Sequence, residues 1–159
     1  MTLEQRIAKL LIHQKKTLAV AESCTGGLLC HRLTNIPGSS RFFKFGWILY
    51  SNESKARLLK ISPRIFVEHG AVSGQAAQQM AEGIRGVLKT DFGIGVTGIA
   101  GPAGGTRQKP VGLVFIAVAA SDQTLTESHV FKGNRKRIKS QAATRALRLL
   151  GKLLSAPHQ

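Results

Sequence analysis

The sequence has few acidic residues, few aromatic residues and only two cysteines, and each shortage excludes a class of protein. Cys24 and Cys30 are the only cysteines in 159 residues. That is too few for the disulfide framework of a small secreted domain, so we expect both thiols to be reduced. Aromatic residues make up 6% of the chain, with one Trp and one Tyr. A surface on which single-stranded bases could stack is therefore poorly supplied.

Long hydrophobic runs are also missing. No apolar run reaches the roughly 18 residues that a membrane span requires, and residues 1–6 do not begin a secretory signal. We therefore expect a cytoplasmic protein that does not enter a membrane.

The five histidines are not spaced like metal ligands, so we expect no metal site. A length of 159 residues with 43% hydrophobic residues predicts a single globular domain over residues 1–159.

The shortage of acid leaves the chain strongly basic. Eight Asp and Glu stand against 23 Lys and Arg, for a formal net charge of +15. This charge predicts an anionic partner, either a nucleic acid or a phosphorylated small molecule. The alternative is a basic surface that is only solvated.

Short apolar runs alternate with amphipathic segments, which predicts an α/β fold. Thr2 can cap a first helix with Gln5 as its capping-box partner. Further helices are predicted after Gly27, from residues 51–53, after an N-cap at Ser73 and after an N-cap at Asn134. Strands are predicted over residues 17–22, 42–50, 91–96, 112–119 and 124–131. The fourth strand is apolar throughout and is expected to be central, and its short link to the fifth predicts a hairpin and hence a mixed sheet.

The segment Ala21–Gly27 joins the first strand to the next helix and carries a candidate nucleophile. Ser23 follows the strand directly and is followed by two glycines. A serine at such a turn presents its hydroxyl for acyl transfer. Free backbone N–H groups of the turn can face the negative charge that develops on a carbonyl oxygen, namely those of Thr25, Gly26 and Gly27. The alternative is a connection that needs glycine only for its backbone angles, and Cys24 is a competing nucleophile.

A serine nucleophile without a neighbouring histidine needs another base. Residues 50–55 follow the second strand and offer both Tyr50 and Lys55. A partly buried lysine loses its preference for the charged form and can accept a proton near neutral pH. The alternative is that Lys55 is an exposed lysine on a helix.

Residues 93–98 match a dinucleotide-binding fingerprint literally, as Gly-Ile-Gly-Val-Thr-Gly. The match predicts no dinucleotide site, because the glycines fall inside a predicted strand and no helix follows them. A Gly-rich loop over residues 97–110 follows instead.

Several of these segments together resemble one known family, the CinA C-terminal domain family. The motifs that carry the resemblance occur in order: Ala-Glu-Ser-Cys-Thr-Gly-Gly at 21–27, Tyr-Ser-Asn-Glu at 50–53, Gly-Ala-Val-Ser at 70–73, Val-Thr-Gly-Ile-Ala-Gly-Pro at 96–102 and Lys-Pro-Val-Gly at 109–112. The resemblance runs from about residue 5 to residue 154. It implies a three-layer α/β/α sandwich with a mixed sheet of about five strands. The domain that precedes this module in full-length members is not in the sequence, so the chain resembles the stand-alone form.

The enzymatic members of this family are nicotinamide-nucleotide amidases. The resemblance therefore implies hydrolysis of nicotinamide mononucleotide to nicotinic acid mononucleotide and ammonia, a step of pyridine nucleotide salvage in NAD biosynthesis, with no cofactor. It assigns Ser23 as the nucleophile, Lys55 and Tyr50 as base and helper, and Thr97 as a substrate contact. We expect the substrate phosphate to lie among residues 97–105, including Gly98, and Arg135. We also expect a homo-oligomer, to which a neighbouring subunit could supply Arg135.

The sequence departs from the family pattern at three positions. Trp47 stands where a small glycine is usual, and it either narrows the site or fills the core. Ala103 and Asn134 each replace an aspartate, which makes the surroundings of the site more positive. Two alternative functions therefore stay open: a basic, competence-related protein associated with nucleic acid, and a non-catalytic relative that binds a nucleotide.

Overall fold

The computed structural model describes residues 1–157, and a mixed five-stranded sheet lies between two layers of helices. The expected three-layer α/β/α architecture is confirmed. A short 3-10 helix, Ser39–Arg41, also occurs. The other elements are, in chain order, α1 Leu3–His13, β1 Leu18–Glu22, α2 Leu28–Thr34, β2 Phe43–Ile48, α3 Asn52–Leu59, α4 Pro63–His69, α5 Gly74–Leu88, β3 Phe92–Gly98, β4 Leu113–Ala119, β5 Thr124–Val130 and α6 Arg135–Ser155.

The strands are arranged in the order β2-β1-β3-β4-β5. β1 runs parallel to both β2 and β3, whereas β3–β4 and β4–β5 are antiparallel pairs. The carboxyl ends of β1 and β3 therefore meet at one edge of the sheet. There the backbone N–H of Ser23 donates to the carbonyl of Val96 at 3.0 Å, so the predicted nucleophile lies beside the end of β3.

One helical layer contains α1, α2 and α6, and the other contains α3, α4 and α5. The second layer lies very close to the sheet, because a Cβ on Gly93 or Gly95 would collide with the carbonyl of Ala81 or Ala77 in α5. These two glycines therefore serve close packing of helix on strand. The rejection of the dinucleotide fingerprint is consistent with this packing.

Most predicted boundaries agree with the structure. Thr2, Ser73 and Asn134 accept the expected capping hydrogen bonds from backbone N–H groups. Ser51 caps α3, and β4 and β5 form the expected hairpin. No helix of the described residues combines the length and apolarity that crossing a membrane would need.

Three sequence expectations about the fold were wrong or incomplete. β4 is an interior strand, as expected, but not the middle one: β3 occupies the middle of the sheet, and β4 is apolar because helices cover both of its faces. β3 extends to Gly98, so Thr97 and Gly98 belong to the strand and the Gly-rich loop begins at Ile99. Their pairing with β4 carries the strand past the predicted end. Helix α4, which Ser62 caps and Pro63 begins, was not predicted.

Candidate active site

A cavity of about 300 Å³ lies where the carboxyl ends of β1 and β3 meet. It gathers side chains and backbone from five separate segments of the chain. Its lining includes all six of the non-turn residues predicted for the site: Ser23, Tyr50, Lys55, Thr97, Gly98 and Arg135. The turn residues Thr25, Gly26 and Gly27 are not among its lining residues.

Ser23 and Lys55 are paired at this cavity. The Lys55 Nζ atom is 3.2 Å from the Ser23 Oγ atom, and Lys55 is only 2% exposed. None of the ion pairs found within residues 1–157 involves Lys55. Burial therefore lowers the pKa of Lys55 from its ordinary value, because the charged form loses water without gaining a carboxylate. The geometry matches that of a hydroxyl and its base.

α3 places Lys55 at this point. Ser51 caps the helix by accepting from the Ser54 N–H at 3.0 Å. Lys55 then lies one turn into α3, where its side chain reaches the end of β1. The alternative of an exposed helical lysine is excluded by its burial.

Cys24 lines the same cavity beside Ser23. Its thiol is buried, and burial raises its pKa to about 11. The thiol is therefore protonated at neutral pH and is a poor nucleophile. Both cysteines are free, as expected.

The turn after Ser23 adopts left-handed backbone angles that suit glycine, with φ of 59° at Gly26 and 97° at Gly27. The Gly26 N–H donates to the carbonyl of Ser23 at 3.1 Å. The expectation that this N–H is free for an oxyanion was therefore wrong, because it closes the turn. The N–H groups of Thr25 and Gly27 have no acceptor within residues 1–157, so they remain candidate donors.

Glu22, the last residue of β1, was not predicted as part of the site. It is fully buried, and its carboxylate accepts from the backbone N–H groups of Leu29 and Cys30, each at 3.0 Å. It thereby supplies the cap that α2 lacks, since Gly27 at the N-cap has no side chain to accept a bond. An acid just before a helix start was the available sequence signal. The two bonds tie both ends of the Ser23 turn together.

Thr97 and the loop after β3 form another wall of the cavity. The Thr97 hydroxyl donates to the carbonyl of Ala71 at 2.8 Å, and the Lys109 ammonium donates to the carbonyl of His69 at 2.6 Å. These bonds fix the segment before α5 against the Gly-rich loop. Gly98 is constrained as well, because a Cβ there would lie 2.7 Å from the carbonyl of Leu113.

Tyr50 and Arg135 lie at the rim of the cavity. Arg135 donates to the carbonyl of Gly101 at 2.6 Å and to the Tyr50 hydroxyl at 3.1 Å. Tyr50 is 62% exposed, in contrast to the buried Lys55. Arg135 thus connects the Gly-rich loop to the segment after β2, across the opening that leads to Ser23.

The three departures from the family pattern affect the site unequally. Trp47 does not line the cavity and instead packs against the buried cluster that includes Leu59 and Ile61, so it fills the core. Asn134 replaces aspartate without loss of the cap, because its side chain accepts from the Arg137 N–H at 3.0 Å. Ala103 does line the cavity, and it brings no carboxylate there.

Lys139 is a further cation near the site that was not predicted. It lies one turn of α6 after Arg135, and its Nζ atom is 3.4 Å from the position that a Cβ on Gly26 would occupy. Its spacing from Arg135 was the available signal, since residues four apart on a helix share a face. The turn that carries Ser23 therefore has a positive charge beside it.

Comparisons with known proteins agree with this architecture. The CinA C-terminal domain is the family whose sequence model matches, over residues 1–154. The chain belongs to the CinA C-terminal domain family. It is 49% identical over 155 residues to a competence-damage inducible protein of Moorella thermoacetica, and 51% identical over 156 residues to a CinA-like protein of Syntrophus aciditrophicus. Each alignment covers 98% of this chain but 37% of the relative.

Solved structures of CinA proteins share the whole fold. The competence/damage inducible protein CihA of Agrobacterium tumefaciens superposes with a TM-score of 0.93 at 37% identity, covering 95% of this chain and 93% of that one. A CinA superfamily protein of Klebsiella pneumoniae gives a TM-score of 0.92 at 33% identity, with 96% of each chain covered.

Within residues 1–157, no group of three or more His, Cys, Asp or Glu is arranged to hold a metal ion.

Proposed function

We propose that the protein hydrolyses the carboxamide of nicotinamide mononucleotide to nicotinic acid mononucleotide and ammonia. The observation that carries the proposal is the buried Lys55 Nζ, 3.2 Å from the Ser23 hydroxyl and without a carboxylate partner. This pair supports acyl transfer through a serine. The choice of substrate follows from the motif resemblance to nicotinamide-nucleotide amidases, and it would place the protein in cytoplasmic pyridine nucleotide salvage.

In the first step, neutral Lys55 accepts the Ser23 proton as the Ser23 Oγ atom attacks the carboxamide carbon. The tetrahedral intermediate carries its negative charge on the former carbonyl oxygen. Lys55 then returns the proton to the leaving nitrogen, and the C–N bond breaks to release ammonia. The product is an ester between Ser23 and the nicotinic acid group, which water hydrolyses with Lys55 again as the base.

The intermediate needs hydrogen-bond donors for its oxygen. The N–H groups of Thr25 and Gly27 have no other acceptor in the described part of the chain, and Lys139 adds positive charge beside this turn. A single oxyanion donor typically contributes about 3 kcal/mol to the transition state. In this proposal Glu22 maintains the turn geometry through its bonds to α2.

The phosphate of the substrate needs its own donors at the rim of the cavity. Arg135 is placed to supply a paired contact, because its guanidinium already holds two neutral oxygens, those of Gly101 and Tyr50. A phosphate dianion is a stronger acceptor than either oxygen. The glycines of the following loop offer further backbone N–H groups.

The direct test is to incubate purified protein with nicotinamide mononucleotide and to measure ammonia with a coupled glutamate dehydrogenase assay. Chromatography should show nicotinic acid mononucleotide in equal amount. Ser23→Ala is the matched control, because it removes only the nucleophilic oxygen. Ammonia release by wild type and Ser23→Ala at equal rates would contradict the proposal, as would no release by wild type.

A further inference from the structure

The positive charge of the chain is distributed unequally between the two helical layers. The layer of α3, α4 and α5 carries Lys55, Arg57, Arg64 and Arg85 against three acids, Glu53, Glu68 and Glu82. The layer of α1, α2 and α6 has a single acid, Glu4, against ten basic residues: Arg6, Lys9, Arg32, Arg135, Lys136, Arg137, Lys139, Arg145, Arg148 and Lys152. The excess charge is thus concentrated on one face of the sandwich.

Side chains from two helices join on this face. Arg6 of α1 lines a shallow surface cavity of about 300 Å³ together with Arg148 and Lys152 of α6. Arg137 lies eleven residues, or about three turns, before Arg148 on α6 and is also exposed. We call the surface formed by Arg6, Lys9, Arg137, Arg148 and Lys152 the basic face.

Little on the molecule neutralises the basic face. Glu4, the one acid of this layer, is bonded to Arg32 at 2.6 Å. Glu127 of β5 contacts Arg145 and, at 3.4 Å, Lys152. The ion pairs found within residues 1–157 leave Arg6, Lys9, Arg137 and Arg148 without a carboxylate. Like charges held on one surface in this way favour a polyanionic partner.

We propose that the basic face binds the sugar-phosphate backbone of a nucleic acid duplex. On α6 the basic face runs from Arg137 to Lys152, a rise of about 22 Å, or about two-thirds of the roughly 34 Å of one duplex turn. A row of cations of this length can follow the phosphates across one groove. Contacts to phosphates carry no sequence information, so the binding is independent of sequence.

The chemistry of the face favours a duplex over the other large anions. The exposed large apolar side chains are Met1, Phe45, Ile48, Tyr50, Leu58, Val67, Val87 and Val130, and none belongs to α1, α2 or α6. The apolar residues that line its cavity, Leu3, Ile7 and Leu10, are half-buried or buried, so the face presents no exposed apolar side chain to insert into a lipid bilayer, which interfacial helices require. It also has no aromatic ring on which single-stranded bases could stack.

The test is the binding of the full chain to a fluorescein-labelled 24-base-pair duplex of random sequence, followed by anisotropy between 50 and 200 mM KCl. We expect a dissociation constant of about 10⁻⁶–10⁻⁴ M near physiological salt, weakening as salt rises. The variant Arg6→Gln/Arg137→Gln/Arg148→Gln should bind at least about tenfold more weakly at 100 mM KCl. Its slope of log K against log salt should be shallower by about one for each phosphate that the variant no longer neutralises.

The matched control removes three exposed cations from elsewhere, as Arg57→Gln/Lys60→Asn/Lys89→Asn. Asparagine is used at residues 60 and 89 because their φ angles, 58° and 52°, are left-handed. Both variants have the same net charge, and circular dichroism checks that both fold. A loss of less than about twofold in the control supports the basic face. An equal loss in both variants would overturn it, because net charge alone would then explain binding.

Two further measurements distinguish duplex binding from membrane binding and from amide hydrolysis. Tighter binding to vesicles containing phosphatidylserine than to the duplex at the same salt would also overturn the proposal. Ammonia release from nicotinamide mononucleotide is measured on the same variants, and none of the substituted residues lines the Ser23 cavity. Duplex binding and hydrolysis can therefore succeed or fail independently.

Discussion

The two ends of β1 carry polar clusters of opposite character. Before the strand, the Asp91 carboxylate accepts from the backbone N–H and hydroxyl of Thr17, at 2.8 and 2.9 Å, and pairs with Lys16 at 3.2 Å. After the strand, Lys55 is buried beside Ser23 with no carboxylate. In the first cluster the Asp91 carboxylate has both hydrogen-bond donors and an oppositely charged partner. In the second, the Lys55 amine has no oppositely charged partner.

This difference separates polar groups that hold the fold from polar groups that are available for chemistry. Hydrogen bonds hold the pKa of Asp91 below its usual value, although burial alone would raise it. Burial shifts Lys55 toward its uncharged form instead. The Thr25 hydroxyl is another buried group near Ser23 that lacks a hydrogen-bond partner within residues 1–157. Unmatched groups cost stability and tend to occur at functional sites.

The largest expected effect is at Ser23, the proposed nucleophile, which follows the carboxyl end of β1. Ser23→Ala should lower kcat for amide hydrolysis by about 10⁴-fold or more, by analogy with other serine nucleophiles. The free energy of unfolding should fall by only about 1 kcal/mol, because the buried Lys55 amine loses its hydrogen bond to the Ser23 Oγ atom.

The control for this prediction is Cys24→Ala, which should retain ammonia release because the buried thiol is protonated. If Cys24→Ala abolishes turnover and Ser23→Ala does not, the nucleophile is misassigned.

Lys55→Met sharpens the comparison most, since it should change activity and stability in opposite directions. Loss of the base should lower kcat by about 10²–10⁴-fold. Folding lowers the pKa of Lys55. At pH values below the lowered pKa, the buried charged amine therefore reduces the free energy of unfolding, and this reduction disappears as the pH rises toward the ordinary pKa of 10.5. Removing the amine should therefore raise the free energy of unfolding at pH 7.

The pH dependence gives an independent readout of the same residue. In the wild type, kcat/KM should rise with pH up to the lowered pKa of Lys55, because only the neutral amine accepts the Ser23 proton. A Lys55→Met protein that is less stable than wild type and equally active would refute both parts.

At the start of β1, Asp91→Ala should have the opposite effect to Lys55→Met: it should lower stability and leave activity nearly unchanged. It removes three hydrogen bonds to a carboxylate, and we expect a loss of roughly 2 kcal/mol in the free energy of unfolding, with kcat within about twofold of wild type. Because the pKa of Asp91 is lowered on folding, its contribution is present above the usual value of 3.8 and is lost as pH falls below it. Chemical denaturation should show that wild type and variant differ less in free energy of unfolding at pH 3 than at pH 7.

Among the residues of the candidate active site, the smallest loss of activity is expected at the rim. Arg135→Ala should lower kcat/KM for nicotinamide mononucleotide by roughly 10- to 100-fold, the range of a charged hydrogen-bonded contact. Nicotinamide riboside, which lacks the phosphate, should be a poor substrate for both proteins and lose little more in the variant. Equal kcat/KM for nucleotide and riboside in the wild type would mean that no phosphate site exists.

The backbone around Ser23 was largely predictable from the sequence, because its signals are local. Capping residues such as Ser73 and the apolar run of β1 depend on neighbours within a few positions. The pairing of Ser23 with Lys55 depends instead on a contact 32 residues apart. Their proximity was expected from the order of motifs and from the resemblance, and the burial of Lys55 could not be read from a short helix with mixed charge.

The features that were not predicted depend on long-range packing or on hydrogen bonds already in use. Gly26 has the turn chemistry of an oxyanion donor, but its N–H is consumed by Ser23 itself. Glu22 resembles an ordinary strand residue until α2 folds back over it. Trp47 could equally have faced the cavity or the core, since a half-buried strand position does not reveal which layer covers it.

The placement of Trp47 also gives the molecule an internal optical reporter. It is the only tryptophan in the chain, and it sits half-buried on β2 against the α3 and α4 side, away from the cavity wall. Its fluorescence emission should shift to longer wavelength when the outermost strand detaches and water reaches the indole. Ligands that fill the cavity do not touch the indole directly, so its emission can follow unfolding of one border of the sheet in the presence of substrate.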